Sequence, residues 1–354
     1  MNPLEAQLHY PFGDTVPAPG DAIDVGPGIR WLRLPLPFAL DHINLWLLDD
    51  LDGTYTVVDC GASTDASRAG WERVMAAHFN GKTLARVLVT HCHPDHVGLA
   101  DWLCRRWNAP LAMTAGEYGF TRMMAAALPG VDGTGAVEHF RRHGLTDPDM
   151  LEKMQSRKNY YPSLVPAVPA SYFRLQDGQH VDIGGHGWRV ITGFGHSPEH
   201  ASLYCPRLNV LIAGDMVLPR ISTNVSVFAV EPEGNPLQQY LDSLERFAGL
   251  PDDVLVLPAH GKPFRGVHTR IQQLRDHHSA RLEEVVAACA QPCSAADIVP
   301  LMFRRPLDAH MLSFALGEAL AHLHKLWRDG IVRRETDSGG IIRFKMKPTT
   351  ARAK

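Results

Sequence analysis

Apolar positions along the chain change period several times, and each change marks an element. "GIRWLRLPLPF", "INLWLLDD" and "YTVVDCG" are short apolar runs with turn residues between them and read as three early strands. "SRAGWERVMAAHF" repeats at helical spacing, and "LARVLVTH" is an apolar strand that ends at the first of several histidines. "GLADWLCRRWN" continues as a helix and "PLAMT" as another strand. Strands alternating with helices predict an α/β layered architecture. From Gly116 to about Ala170 that rhythm stops. "YGFTRMMAAAL", "VEHFRRHG" and "DMLEKMQSRKNYY" form a helical insertion closed by "PSLVPAVPA", read as a lid over a pocket because it interrupts the probable site.

Strands resume in "FRLQDGQHVDIGGHGWRVITGFGH", where "DG" and "GG" predict a hairpin. "ASLYCPRLNVLIAGD" and "DDVLVLPAHG" follow. From about Ile271 the alternation is replaced by helices: "RIQQLRDHHSARLEEVVAACA", then "SAADIVPLMF" behind a serine N-cap, then "HMLSFALGEALAHLHKLWRDGIV". A hairpin around "SGG" closes the chain. Three helices and a β-wing form a winged-helix pattern. With 354 residues, the chain exceeds what one core usually spans, so a large domain at 1–268 and a smaller one at 269–354 are expected.

Composition narrows the function classes. Hydrophobic residues make up 45% and charged residues 21%, as in ordinary globular proteins. A formal net charge of -3 gives no general attraction to nucleic acid or membrane, although residues 270–354 carry 14 basic against 9 acidic side chains. No stretch approaches the roughly 18 apolar residues of a membrane span, and the first residues lack the basic start and apolar core of a secretory leader. Six scattered cysteines suit a reducing cytoplasm.

The chemistry concentrates in "THCHPDH". His91 and His93 are two apart, His96 lies five after His91, and Asp95 sits between them. Neutral imidazoles and a carboxylate suit zinc, and Pro94 stiffens the turn. One segment cannot fill two metal shells. His196, Asp215 and His260 each follow an apolar strand where it opens into a loop, the usual place for α/β sites. His277 with His278, and His322 with His324, lie in helical stretches without carboxylates at ligand spacing and are read as structural.

"THCHPDH", "GHSPEHASLY", "LIAGD" and "PAHG", in this order, resemble the metallo-β-lactamase-fold hydrolase superfamily over roughly Gly28 to Phe264. The resemblance implies an αββα sandwich with a dinuclear centre. His91, His93 and His196 would hold one metal, Asp95, His96 and His260 the other, and Asp215 would bridge them. Asp59 matches a residue that braces the metal loop. The C-terminal segment looks like the winged-helix tail of one branch of the superfamily. Two zinc ions per chain are expected, with iron or manganese as the other metals such donors accept. Paired ions acidify a shared water into a hydroxide nucleophile, which Asp95 would orient while accepting its proton.

Substrate residues are less legible. Leu218 stands where lactone-opening relatives carry a tyrosine. Asn224 is a candidate to contact a substrate oxygen, and His200 to buttress His196 or line the site. Arg122, Arg141, Arg142, Arg157 and Lys158 on the insertion are candidates to attract an anion. The favoured function is hydrolysis of an ester, thioester or related small molecule. A metal-dependent ribonuclease or phosphodiesterase is the alternative, favoured by the basic tail, and an iron-dependent persulfide dioxygenase is a third. The apolar last helix admits a homodimer.

Overall fold

The computed structural model describes residues 3–38, 40–131, 133–156 and 160–348. They cluster into two compact units. The first comprises 1–126, 160–223 and 243–273, and the second 127–159, 224–242 and 274–354. The helical insertion expected at about 116–170 is therefore divided between them.

The first unit carries two sheets. The larger has seven strands in sequence order: β1 (Ala22–Gly26), β2 (Ile29–Pro35), β3 (His42–Asp49), β4 (Tyr55–Val58), β5 (Leu84–Leu88), β6 (Leu111–Thr114) and β7 (Phe173–Leu175). β1 to β4 pair antiparallel, and β4 to β7 pair parallel. The smaller sheet has the order β12-β11-β10-β9-β8, formed by β8 (His180–Ile183), β9 (His186–Gly193), β10 (His200–Cys205), β11 (Val210–Gly214) and β12 (Leu255–Pro258). Gly184 and Gly185, both at positive φ, make the β8–β9 hairpin turn. The "DG" turn instead lies where the chain leaves β7 for the second sheet. β1, Ala-Ile-Asp-Val-Gly, was not read as a strand; only Val25 of its five residues is buried.

Side chains alternate between faces of a strand, and that alternation builds two cores. Trp31, Trp46, Leu48, Val58 and Leu88 of the larger sheet pack with Trp188, Val190, Leu203, Ile212 and Leu257 of the smaller. The opposite face of the larger sheet, including Leu32, Leu45, Val57 and Val87, packs against Trp71 and Val74 of α1 (Asp65–Val74) and Leu103 of α3 (Ala100–Trp107). Helix, sheet and sheet are thus layered in the expected order. Between α1 and α3 lies one turn missed in the sequence, α2 (Pro94–Val97), with Pro94 at its first position. After β6 come α4 (Ala115–Ala125), α5 (Gly133–Arg142), α6 (Pro148–Gln155) and α7 (Tyr160–Leu164).

In the second unit α5 and α6 join α10 (Ala295–Met302), α11 (Ala309–Arg328) and the antiparallel hairpin of β13 (Val332–Thr336) and β14 (Ile342–Met346). Most of α8 (Pro236–Glu245) and of α9 (Val267–Ala288) also belongs to this unit. Ser294 caps α10 as expected. Its hydroxyl accepts from the Asp297 amide while the Asp297 carboxylate accepts from the Ser294 amide. The three C-terminal helices and the hairpin follow in the order read from the sequence. No helix among the described residues is long and apolar enough to cross a membrane.

Candidate metal centre

The seven expected ligands come together at the ends of β5, β9, β11 and β12. They form two groups, His91, His93, His196 and Asp215, and Asp95, His96 and His260, with the ligand atoms of each group all within 4.8 Å of one another. In the first, His91 Nε2 lies 2.9 Å from His93 Nδ1 and 3.2 Å from His196 Nε2. In the second, His260 Nε2 lies 3.3 Å from Asp95 Oδ2, and His96 Nε2 lies 3.6 Å from it. Asp215 lies between the groups: Oδ2 is 3.4 Å from His196 Nε2 and 3.7 Å from His96 Nε2, and Oδ1 is 3.5 Å from His260 Nε2.

Local backbone chemistry sets this arrangement. β5 ends at Leu88, and Thr90 then turns so that its amide and hydroxyl both donate to Asp59. Asp59 adopts φ 65°, an uncommon left-handed conformation for a residue with a side chain, at the point where β4 stops. Its other oxygen accepts from His96 Nδ1 at 2.9 Å, which leaves His96 Nε2 to face the centre. Asp59 thus ties the Thr90 turn to His96. His200 supports Asp215 rather than His196: its Nε2 accepts from the Asp215 amide at 3.1 Å. Gly214, at φ 52°, permits that approach.

Three supports were not visible in the sequence. His260 Nδ1 donates to the His42 carbonyl at 2.8 Å, and His42 Nε2 accepts from the Gly261 amide at 2.9 Å. Asn44 donates to the Pro258 carbonyl at 2.9 Å, and Arg33 donates to the Gly261 carbonyl at 2.6 Å. Glu117, fully buried at the start of α4, accepts from the Cys92 amide, the Ser197 hydroxyl and the Glu199 amide. Each of these pairs joins residues far apart in sequence, so no spacing rule finds them.

The electrostatics favour cations. Burial lowers the proton affinity of His91, helped by the neighbouring imidazoles, and holds His93 down at about 3. Both therefore keep lone pairs available. Burial alone would raise Asp95, but His96 and His260 outweigh it and hold the carboxyl at about 2. The same competition holds Asp215 well below the carboxylate range. Burial opposes charge on His96 and His260 as well, yet the surrounding carboxylates raise both. Those carboxylates draw positive charge into the second group. His96 Nε2 and Asp215 Oδ1 are buried without a hydrogen-bond partner, a costly arrangement unless a cation satisfies them. These donors fit divalent metal ions.

Other candidates sit elsewhere. Asn224 lies in the second unit, where its Oδ1 accepts from Ser226 at 2.9 Å. Leu218 is buried. Arg122 donates to the Tyr118 hydroxyl and Arg141 pairs with Glu138, both exposed. Arg157 and Lys158 lie outside the described residues. His278 and His322 hydrogen-bond each other at 3.3 Å, and neither they, His277 nor His324 joins a metal-sized group among the described residues. Cys92 is buried, and burial and Glu117 push its thiol well up.

Comparison with known proteins agrees with this geometry. The profile of the metallo-β-lactamase superfamily matches residues 39–260, and that of a metallo-β-lactamase-like C-terminal domain matches 282–347. The solved structure of a β-lactamase domain protein from Burkholderia ambifaria is 59% identical, covers 98% of this chain and 100% of its own, and superposes with a TM-score of 0.93. A probable metallo-hydrolase of Bacillus subtilis, YqjP, is 25% identical across 83% of this chain and 91% of its own length. A hydroxyacylglutathione hydrolase of Yersinia enterocolitica is 26% identical, across 63% of this chain and 63% of its own. With one profile spanning more than half the sequence and enclosing every candidate ligand, the chain belongs to the metallo-β-lactamase superfamily.

Proposed function

We propose that the chain is a dinuclear zinc hydrolase of small acyl esters or thioesters. The enzyme class is the firmer part: the relatives that span most of the chain include a metallo-hydrolase, and this chain is a metal-dependent hydrolase. One observation carries the dinuclear reading. Asp215 reaches donors of both groups, Oδ2 toward His196 and His96 and Oδ1 toward His260. His91, His93 and His196 would hold one ion, Asp95, His96 and His260 the other, with Asp215 shared. When bound, such ions supply Lewis acidity and acidify water near neutral pH.

The protein's own groups do the rest. Asp95 has the most exposed side chain of the buried ligand cluster's carboxylates, at 15% against 9% for Asp215. Ionised and open to solvent, it would orient the attacking water and accept its proton. Asp59, His200 and His42 hold their partners' ring tautomers and loops fixed, so orientation is set before substrate arrives. The acyl substrate class rests on the hydroxyacylglutathione hydrolases among the relatives, since an acylglutathione is a thioester. The C-terminal helices and hairpin are proposed to be a winged-helix-like domain, and the six free, buried cysteines fit a cytoplasmic enzyme.

The test is metal content by mass spectrometry on protein purified without added metal, followed by panels of thioesters, esters and RNA. About two zinc per chain, falling to about one in His96→Ala, with turnover of an acyl substrate, is the expected result. One iron per chain, unaffected by His96→Ala, would overturn the dinuclear reading. RNA cleavage without acyl turnover would replace the substrate class with a phosphodiester.

A further inference from the structure

Two buried carboxylates brace the donor groups, and Asp59 serves both, since Thr90 Oγ1, which donates to it, lies 3.1 Å from His91 Nδ1. Asp59 reaches His96 and Thr90. Glu117 touches neither of these. Its Oε2 accepts from the amide of Cys92, the residue between His91 and His93, at 2.8 Å. Its Oε1 accepts from Ser197 Oγ and from the Glu199 amide, each at 2.6 Å, directly after His196. The carbonyl of Cys92 accepts from the Tyr161 hydroxyl, so both peptide groups of that residue are held.

The helix that carries Glu117 is itself pinned to the His196 loop. The Glu199 carboxylate accepts from the Gly116 amide at 2.8 Å, and the Thr114 hydroxyl donates to the Glu199 carbonyl at 2.7 Å. A Cβ at Gly116 would lie 2.9 Å from that of Glu199, so the close approach requires glycine there. Glu117 is fully buried with no cationic side chain among its hydrogen-bond partners. An ionised carboxyl in that position is costly by itself. Burial does raise its proton affinity against the pull of its three donors.

We infer that Glu117 is the positioning residue of the His91, His93 and His196 metal group, joining its two ligand loops through three hydrogen bonds, as Asp59 is for His96. This rests on the metal reading above. The carboxylate is suited to the role because both oxygens accept and neither edge donates. Glutamine has the same shape, but its NH2 must face either the Cys92 amide or the Ser197 and Glu199 donors. One loop then loses its tie while the fold keeps its volume.

The experiment is zinc titration of the full metal-free chain against a competing chelator, with stoichiometry read by native mass spectrometry. Three backgrounds are compared with and without Glu117→Gln: wild type, His96→Ala and His93→Ala. The expected result is a ten- to hundredfold weakening, as for lost partners of metal ligands, of one zinc equivalent in wild type. The same weakening is expected in the His96→Ala background, where the first group remains. In the His93→Ala background the remaining equivalent is unchanged. Asp59, tied to His96 and, through Thr90, to His91, supplies the control: Asp59→Asn should weaken both equivalents, a pattern Glu117→Gln should not share. Equal weakening of both equivalents by Glu117→Gln, or none, overturns the inference while leaving the dinuclear reading intact. A wild-type chain that takes up no zinc overturns both. If Glu117→Gln does not fold, Ser197→Ala removes one of the three ties and should weaken the same equivalent by a smaller factor. No change there would equally overturn the inference.

Discussion

Gly214 has no room for a side chain. It sits at φ 52°, and a Cβ built on it would overlap the His200 ring, whose Cε1 is 2.6 Å away. His200 is the acceptor for the Asp215 amide, so steric pressure here is delivered to the shared carboxylate. Gly214→Ala is expected to cost about 2 kcal/mol or more, from left-handed strain and overpacking together, and to lower zinc affinity with it. Urea unfolding and zinc titration check this. A loss under about 0.5 kcal/mol, the range of a neutral surface change, would mean the loop yields freely. At this scale the sequence was informative about the candidate ligands, Asp59 and His200, and silent about the supports held by distant segments. His91, His196, Asp215 and His260 each stand where an apolar run stops, a pattern one segment displays. Glu117, Asn44 and Arg33 act through partners 25 to more than 200 positions away. Nothing local sets them apart from surface charges.

Among elements, those with strong periodicity and caps were read with little error, and the misses share a cause. β1 buries its side chains only in part, α2 is four residues long, and the chain between β7 and β8 changes sheet rather than turning back. None of these leaves a mark in hydrophobic period. α10 shows the other case. Its capping box was half visible as a serine ahead of an apolar run, and Asp297 completes it while also pairing with Arg343 at 3.0 Å. Ser294→Ala removes an acceptor for the Asp297 amide and is expected to cost about 1 kcal/mol. Chemical denaturation measures it. A Ser294→Ala protein as stable as wild type would show that the helix is held by its packing alone.

For the molecule as a whole, the second unit is acid-sensitive by construction. His139 and His278 are held down at about 3, and His143 and His322 at about 4, in each case chiefly by burial. Their folded proton affinities lie below the unfolded value of about 6.5. The unfolded chain therefore binds more protons below that pH, and the stability these groups contribute is lost as pH falls toward the folded values. Each costs up to about 1.4 kcal/mol per pH unit. Glu318, raised by burial to about 7, works the other way, one group against five, since burial lowers His324 as well. Hydrogen exchange in α5, α9 and α11, corrected for intrinsic rates, should quicken between pH 7.5 and 5.5. Unchanged protection would show that these imidazoles accept protons without opening the unit.

The discontinuity of the second unit has a consequence for how the protein is made. A ribosome releases the chain from its N-terminus, so all seven ligands have been synthesised once His260 appears, and the first unit's last span ends at 273. The second unit is then still missing 274–354. Phe140, Leu145 and Met154, buried in the finished protein, belong to spans that have waited since early in synthesis. The nascent chain thus holds all seven candidate ligands before residues 274–354 of the second unit have been made.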